Sequence, residues 1–285
     1  RRPTVAVFAR LLADWVLCTG RRTVTGLLRG ADLHGWRAHD AYHRFFLDSS
    51  WALSEVWRRL TLLLVQVFWP DGTIHLDLDD TVHHRNGRKV NGAGWWRDAV
   101  RSTGTTIVHA WGLNIVVLTL RIYPRWGGEP LGLPINMRLH RKDGPRLPQL
   151  AHQMLIEVAC WLPKRRFQCH ADGFFACLAG RRVSNIHIIS RMRRDANIYD
   201  PVVKNTVKKR GRPRKRGKKL PAPQHMSKHI RNWRLVDTIE RGKMRKRLVY
   251  SRQVIWYTVL ETPVLLVISR DPEGKEKDDF FVTTD

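Results

Sequence analysis

The spacing of apolar residues changes from helical to alternating about a quarter of the way along the chain. Residues 4–18 and 49–69 carry apolar side chains at helical spacing, with Ser49 or Ser50 as candidate N-caps of the second segment. The Pro-Asp-Gly sequence at 70–72 then ends the pattern, as expected of a turn. We therefore predict a helical region over residues 1–70.

A shorter stretch inside this region has two interpretations. Residues 22–46 fit two short helices joined at Gly30, which is compatible with a helix-turn-helix for DNA. A plain helical bundle used for packing or dimer contacts fits the same residues. Because short motifs of this kind recur by chance, the bundle is the favoured interpretation.

After the turn, apolar and polar residues alternate with the period of a strand. Over residues 73–82 one face carries Ile74, Leu76 and Leu78, and the other carries His75, Asp77 and Asp79. The later segments are predicted as strands at 105–123 and 131–140, a helix at 148–161, a strand at 166–172, a helix after Gly173 and a strand at 185–190.

This order of elements predicts a mixed α/β fold with an RNase H-like core over residues 71–190. In that core the first and fourth strands are neighbours, so Asp79 and Asp172 should meet. Paired carboxylates on rigid strands suit Mg²⁺, a hard ion that keeps several waters and assists phosphodiester chemistry. We predict Asp79 as a bridging ligand and Asp172 as a ligand of one ion. Asp80 is expected on the opposite face of its strand.

The charge of the chain points to a polyanionic partner. Its 51 Lys and Arg against 25 Asp and Glu leave a net charge of +26 and a pI of about 11.0. Residues 181–247 hold 23 of these cations and only 4 acids. A membrane is a poorer candidate than nucleic acid, because no apolar run reaches the roughly 18 residues of a spanning helix and the basic stretch is broken by Gly and Pro.

The densest run of cations lies at residues 208–219. Its Arg-Gly-Arg-Pro sequence at 210–213 is similar to an AT-hook for a narrow A·T minor groove, while solvated loop charge is the favoured alternative. Contacts to the phosphate backbone need only the charges. The predicted DNA-binding residues are Arg210, Arg212, Arg214, Lys215, Arg216, Lys218 and Lys219.

Several segments, taken in order, resemble the DDE-type transposases of bacterial insertion sequences. They are LDLDDT (76–81), KVNGAG (89–94), HAWG (109–112), ADGFF (171–175), SRMRRDANIYDP (190–201) and KKRGRPRKRGKKL (208–220). The likeness is to the IS-four-like branch, which has a β-rich insertion in its RNase H-like core and would place that insertion at residues 191–285.

The resemblance implies cut-and-paste transposition by a magnesium-dependent endonuclease, with Mn²⁺ as a substitute ion. Its first two acids fall on Asp79 and Asp172. The implied partner is double-stranded DNA, at the element ends and the target; a homodimer is left open and no membrane is expected. Together with the absence of a signal peptide or CxxC pair, it places the protein in the bacterial cytoplasm, at the nucleoid.

One part of the family pattern does not occur in the sequence. The third acid should be a Glu in a helical Tyr-x2-Arg-x3-Glu-x6-Lys signature, whereas Glu261 lies in an extended run and Glu273 and Glu276 lie in a turn. We therefore expect a truncated or incomplete copy that lacks the final core helix, with DNA binding and weak or no cleavage.

Two other functions fit part of the same sequence. Residues 77–81 match the DxDxT motif of HAD-type phosphohydrolases, but such a five-residue match recurs by chance. The other alternative is a DNA-binding or dimerising remnant without catalysis, which would share the basic surface of the transposase.

Overall fold

The computed structural model describes residues 2–30, 37–48, 52–87, 89–202, 215–240, 243–259 and 262–285. The chain divides into two compact units, Arg1–Glu55 and Val56–Asp285.

The described residues of the first unit form α1 (Arg2–Leu17), α2 (Val24–Gly30) and α3 (His39–Leu47). Their apolar faces form a small core of Val7, Leu11, Cys18, Leu27, Leu28, Tyr42 and Phe45. The predicted helical region is therefore present. Gly30, the predicted turn, is the last residue of α2. Residues 31–36 and the predicted caps Ser49 and Ser50 lie outside the described residues, so a DNA-reading role for these helices stays a prediction.

Helix α4 (Leu53–Phe68) spans the boundary, and from Val56 onward it belongs to the second unit. A turn at Gly72 follows it. This glycine has a φ of +77°, a backbone conformation that residues with a Cβ rarely adopt. The elements that follow are β1 (Ile74–His84), β2 (Gly94–Arg97), β3 (His109–Ile122), β4 (Leu131–His140), α5 (Leu147–Trp161), β5 (Phe167–Ala171), a 3₁₀-helix (Phe175–Gly180) and β6 (Ile186–Arg191).

The central sheet has the strand order β4-β3-β1-β5-β6. Strands β1, β3 and β4 are antiparallel neighbours, and β5 and β6 run parallel to β1. Parallel neighbours require a long crossover, which α5 supplies between β4 and β5. This order is consistent with an RNase H-like core, and the predicted mixed α/β fold is confirmed.

The core lies on one face of this sheet, as the alternation in β1 predicts. Ile74 and Leu76 are fully buried, and α5 covers them with Ala151, Met154 and Val158, which are also fully buried. Helix α4 packs on the same cluster through Val65. The opposite face carries the polar residues of β1, which are half-buried or exposed.

The rest of the unit extends the same sheet. It consists of β7 (Ile198–Tyr199), α6 (Pro223–Met226), a 3₁₀-helix (Ser227–His229), β8 (Arg234–Glu240), β9 (Lys243–Trp256), a second 3₁₀-helix (Tyr257–Val259), β10 (Val264–Arg270) and β11 (Asp279–Thr283). Strand β11 pairs antiparallel with β6, so the late strands are joined to the core through backbone hydrogen bonds. The domain boundaries at 70 and 190 stay predictions.

Two local elements differ from the sequence-based expectation. Strand β2 was not predicted; it is a four-residue strand that pairs with the first residues of β3. The helix expected after Gly173 is a 3₁₀-helix. Its buried residues are Phe175, Ala176, Leu178 and Ala179, and this spacing of three suits the 3₁₀ period.

No helix within the described ranges is both long enough and apolar enough to cross a lipid bilayer.

The packing of β3 against α5 gives a direct test of this core. Leu118 is fully buried, and Leu118→Ala should lower the free energy of unfolding by about 2–5 kcal/mol, because the cavity is enclosed on all sides. The matched control is Leu131→Ala, at a position in β4 that is 45% exposed and should lose much less. Chemical denaturation followed by tryptophan fluorescence measures both, and equal losses would contradict this assignment of the core.

Candidate active site

Asp79 and Asp172 lie side by side where the parallel pairing of β1 with β5 ends. The parallel ladder between β1 and β5 ends with Leu78 opposite Ala171. Asp79 follows Leu78 within β1, which continues to His84, and Asp172 directly follows the last residue of β5. Both side chains are exposed. The structure therefore brings together the two acids that the sequence singled out. Their role as metal ligands stays a prediction.

Backbone donors fix one oxygen of each carboxylate. Oδ1 of Asp79 accepts a hydrogen bond of 2.8 Å from the N–H of the following residue. Oδ1 of Asp172 accepts from the N–H groups of Phe174 and Phe175, at 3.0 and 3.3 Å. The Ser190 hydroxyl donates to the backbone carbonyl of Asp172 at 2.6 Å, which ties the end of β6 to this turn. These backbone hydrogen bonds orient the two carboxylates, and both residues are exposed.

The two acids repel each other. The pKa of Asp79 is raised above its usual value, mainly because the carboxyl is partly desolvated, and the negative charge of Asp172 raises it further. The backbone hydrogen bond from Asp80 opposes the shift. Neighbouring carboxylates in this state favour a bound cation, which would relieve the repulsion.

Asp80 faces the other side of the sheet, as predicted from strand alternation. It is half-buried, and its pKa is raised by desolvation and by the charges of Asp79 and Asp172, while a hydrogen bond with the Asn114 side chain lowers it. Asn114 is buried, and no described residue donates to its Oδ1. Asp80 therefore contributes charge close to the acid pair from the core side of the strand.

Beneath the acid pair, the polar face of β1 carries an ion pair. Arg121 of β3 donates to both carboxylate oxygens of Asp77, with Nε at 3.0 Å from Oδ2. The Trp69 indole N–H donates to the backbone carbonyl of Arg121 at 2.7 Å. The charge of Asp77 is therefore compensated within the protein. Sequence reasoning missed Arg121, because its only signal is a polar position in an alternating strand.

Two histidines, to which the sequence analysis assigned no role, lie next to the Asp77–Arg121 ion pair. His75 Nδ1 lies 3.3 Å from Nε2 of His170 on the neighbouring strand. Burial and the nearby positive charge of Arg121 lower the pKa of His75, and they lower the pKa of His170 to about 4. Both rings are thus neutral at pH 7. They lie on β1 and β5, before Asp79 and Asp172 along the chain.

A third acid does not join the pair from the candidates in the sequence. Glu276 is bound to Arg245 and Arg247, and Glu273 pairs with Lys275. Glu261 lies outside the described residues. Within the described ranges no group of three His, Cys, Asp or Glu side chains is arranged to hold a metal ion.

The acid pair nevertheless has the donor chemistry that Mg²⁺ takes. This ion commonly uses one or two carboxylates, several waters and substrate phosphate, rather than a cage made only of protein groups. Asp79 and Asp172 offer hard oxygen ligands on backbone-anchored positions, and their mutual repulsion favours a divalent cation. The residues present therefore fit the ion that the sequence predicts.

The basic tract is described only in part. Arg210, Arg212 and Arg214 lie outside the described residues. Lys215, Arg216, Lys218 and Lys219 are exposed, and the backbone of this segment is bound to β7, with Asp200 N–H donating to the Lys218 carbonyl at 2.9 Å. The Arg216 guanidinium stacks 4.4 Å from the ring centre of Tyr199. The charges at 215–219 are therefore presented on an anchored backbone.

Comparison with known proteins gives a family match that covers most of the chain. A family model described as DDE superfamily endonuclease matches residues 2–253. Among solved structures, the NurA nuclease from Sulfolobus solfataricus is similar at 11% identity and a TM-score of 0.30, over 75% of this chain and 69% of that one. A likeness at that score carries no argument. No curated protein matches the sequence.

The raised pKa of Asp80 predicts a pH-dependent gain in stability on removing its charge. A raised folded-state pKa favours the protonated acid, so ionisation destabilises the fold as the pH rises through that pKa. Asp80→Asn should therefore raise the melting temperature at pH 7.5, and its new amide can donate to the unsatisfied Oδ1 of Asn114.

The gain should shrink toward about pH 4, the ordinary range of a free aspartate, since wild-type Asp80 is then neutral as well. Asp71→Asn, in the exposed turn before β1, is the control. Melting curves across this pH range measure both variants. Loss of stability in Asp80→Asn at every pH would show that the charged form of Asp80 is favoured in the fold.

Proposed function

Because the chain belongs to the DDE superfamily of endonucleases, we propose that it is a transposase that cleaves DNA strands and joins them at insertion-sequence ends. The observation that supports this most directly is the placement of Asp79 and Asp172 directly after the last paired residues of two neighbouring parallel strands. Two divalent ions held there would activate the attacking oxygen and stabilise charge on the leaving oxygen.

The residues of the chain contribute position and charge to this reaction. Asp79 and Asp172 would hold the divalent ion through their carboxylates, which backbone hydrogen bonds orient. Ser190 anchors the turn of Asp172, so the separation of the acids follows from the sheet rather than from a mobile loop. Arg121 neutralises Asp77 and keeps a third like charge from adding to the repulsion.

The substrate is proposed to be double-stranded DNA, which suits the excess of 26 positive charges. Lys215, Arg216, Lys218 and Lys219 are placed to bind phosphates, because their side chains are exposed while their backbone is tied to β7. Binding of this kind releases counterions and does not depend on base sequence.

Two alternatives differ in what they require. A HAD-type phosphohydrolase needs Asp77 as a free nucleophile in a parallel α/β domain, whereas Asp77 is bound by Arg121 and β1 pairs with antiparallel β3. A binding-only protein is favoured by one observation: across the described part of the chain, no third acid completes the pair. That second alternative is separated from the transposase by the presence or absence of cleavage.

Nicking of supercoiled plasmid with Mg²⁺ or Mn²⁺ tests the proposed function. We expect slow metal-dependent nicking that falls to background in Asp79→Ala and in Asp172→Ala, because each variant removes one carboxylate ligand. Asp71→Ala, an exposed acid before the amino end of β1, is the matched control and should nick as the wild type does. Gel conversion of supercoiled to open-circle plasmid gives the rates.

Either of two results would reject catalysis at this site. Nicking that persists in Asp79→Ala would place the reaction elsewhere or in a contaminant. DNA binding by the wild-type chain with no nicking under any metal would support the binding-only alternative.

The salt dependence of DNA binding tests the basic tract. Replacing Lys218 and Lys219 with Ala should weaken binding to any duplex sequence and reduce the slope of log K against log salt by about 2, at about 0.9 for each phosphate that is no longer neutralised. Fluorescence anisotropy between 50 and 200 mM salt would measure this slope. An unchanged slope would show that these side chains do not bind phosphates.

A further inference from the structure

A second group of charged residues lies at the same end of the sheet as the acid pair. Strand β6 runs parallel to β5, with Ser190 opposite Ala171, so Leu78, Ala171 and Ser190 lie in one row across β1, β5 and β6. Arg191 ends β6. Neighbouring strands are about 4.8 Å apart, which places Ser190 near the end of β6 about 10 Å from Leu78, the residue before Asp79.

The loop that follows β6 is anchored at alternate positions. Met192 and Ala196 are buried in the second core cluster, and the Met192 N–H donates to the carbonyl of Phe280 in β11 at 2.8 Å. The N–H of Gln224 in α6 donates to the Arg194 carbonyl at 3.0 Å. The exposed side chains between these anchors are therefore presented by a fixed backbone.

An open cleft with a volume of about 510 Å³ is lined by Arg193, Arg194, Asp195 and Gln224. Arg193 binds both oxygens of Asp195, at 3.0 and 2.8 Å, so these two charges offset each other. Arg194 is exposed, and no carboxylate of the described residues lies within ion-pair distance of it. The cleft thus combines a guanidinium outside this ion pair with an amide, a donor set suited to a phosphate group.

We propose that this cleft binds a backbone phosphate of the DNA strand that enters the acid pair, with Arg194 as the principal contact and Gln224 as an additional donor. The proposal rests on the proposed function of the acid pair. Arg194 would then be a positioning residue that holds the strand near the bond to be cut.

Removing a positive charge from the cleft should weaken DNA binding, and removing its negative charge should strengthen it. Arg194→Ala should weaken binding to a random-sequence duplex roughly tenfold and lower the salt slope by about 0.9, because it removes one charge-assisted hydrogen-bond donor to a phosphate. Arg194→Lys should restore most of the slope, since it keeps the charge. Asp195→Asn should tighten binding, because it removes the one negative charge among the residues that line the cleft.

Arg125→Ala is the matched control, since Arg125 is an exposed loop arginine that follows β3 at the opposite end of the central strands. Anisotropy titrations in EDTA measure binding without cleavage, so the result does not depend on whether the chain nicks DNA. Combining Arg194→Ala with the Lys218 and Lys219 substitutions should give additive losses of affinity if these residues bind separate phosphates. Arg194→Ala behaving as Arg125→Ala does, or Asp195→Asn failing to tighten binding, would overturn the proposal.

Discussion

The parallel pairing of β1 with β5 is the constraint on which the candidate site depends. In a parallel pair both strands end at the same edge, so residues that follow the last paired positions are neighbours in space. An antiparallel pairing of the same strands would place Asp79 and Asp172 at opposite ends. The pairing exists because α5 provides the crossover and because its fully buried Ala151, Met154 and Val158 cover the apolar face of the strands.

The candidate site holds the negative charges of Asp79 and Asp172 close together, and the surrounding residues limit the electrostatic repulsion. Desolvation and the charge of Asp172 raise the pKa of Asp79, which means that ionising both acids is electrostatically unfavourable. Arg121 compensates the charge of Asp77, and the lowered pKa values of His75 and His170 keep those rings neutral. The unfavourable charge is thereby confined to the exposed end of the strands, where cations and phosphates have access.

Much of this arrangement could be predicted from the sequence because local patterns carry it. The alternation in residues 73–82 distinguished the buried leucines from the aspartates. The order of elements predicted that the first and fourth core strands are adjacent in the sheet. Arg121 could not be predicted, because the partner of Asp77 is set by the antiparallel register of β1 and β3, which pairs Asp77 with Thr119. The 3₁₀-helix after Gly173 could not be distinguished for a related reason: spacings of three and four are hard to separate in a six-residue segment.

The joining of β11 to β6 has a consequence for how the basic half of the chain can act. The sequence predicted an insertion after residue 190, and such a segment could be connected to the core by a flexible linker alone. Instead, backbone hydrogen bonds between β6 and β11 continue the sheet, and β11 in turn pairs with β10 and β10 with β9. Strand β6 therefore has the Asp172 strand on one side and the late strands on the other. Because strand spacings in a sheet are fixed, the sheet sets the distance from the acids to the end of β6, and under the proposed function a DNA strand bound at the loop that follows would lie at a defined position relative to the acid pair.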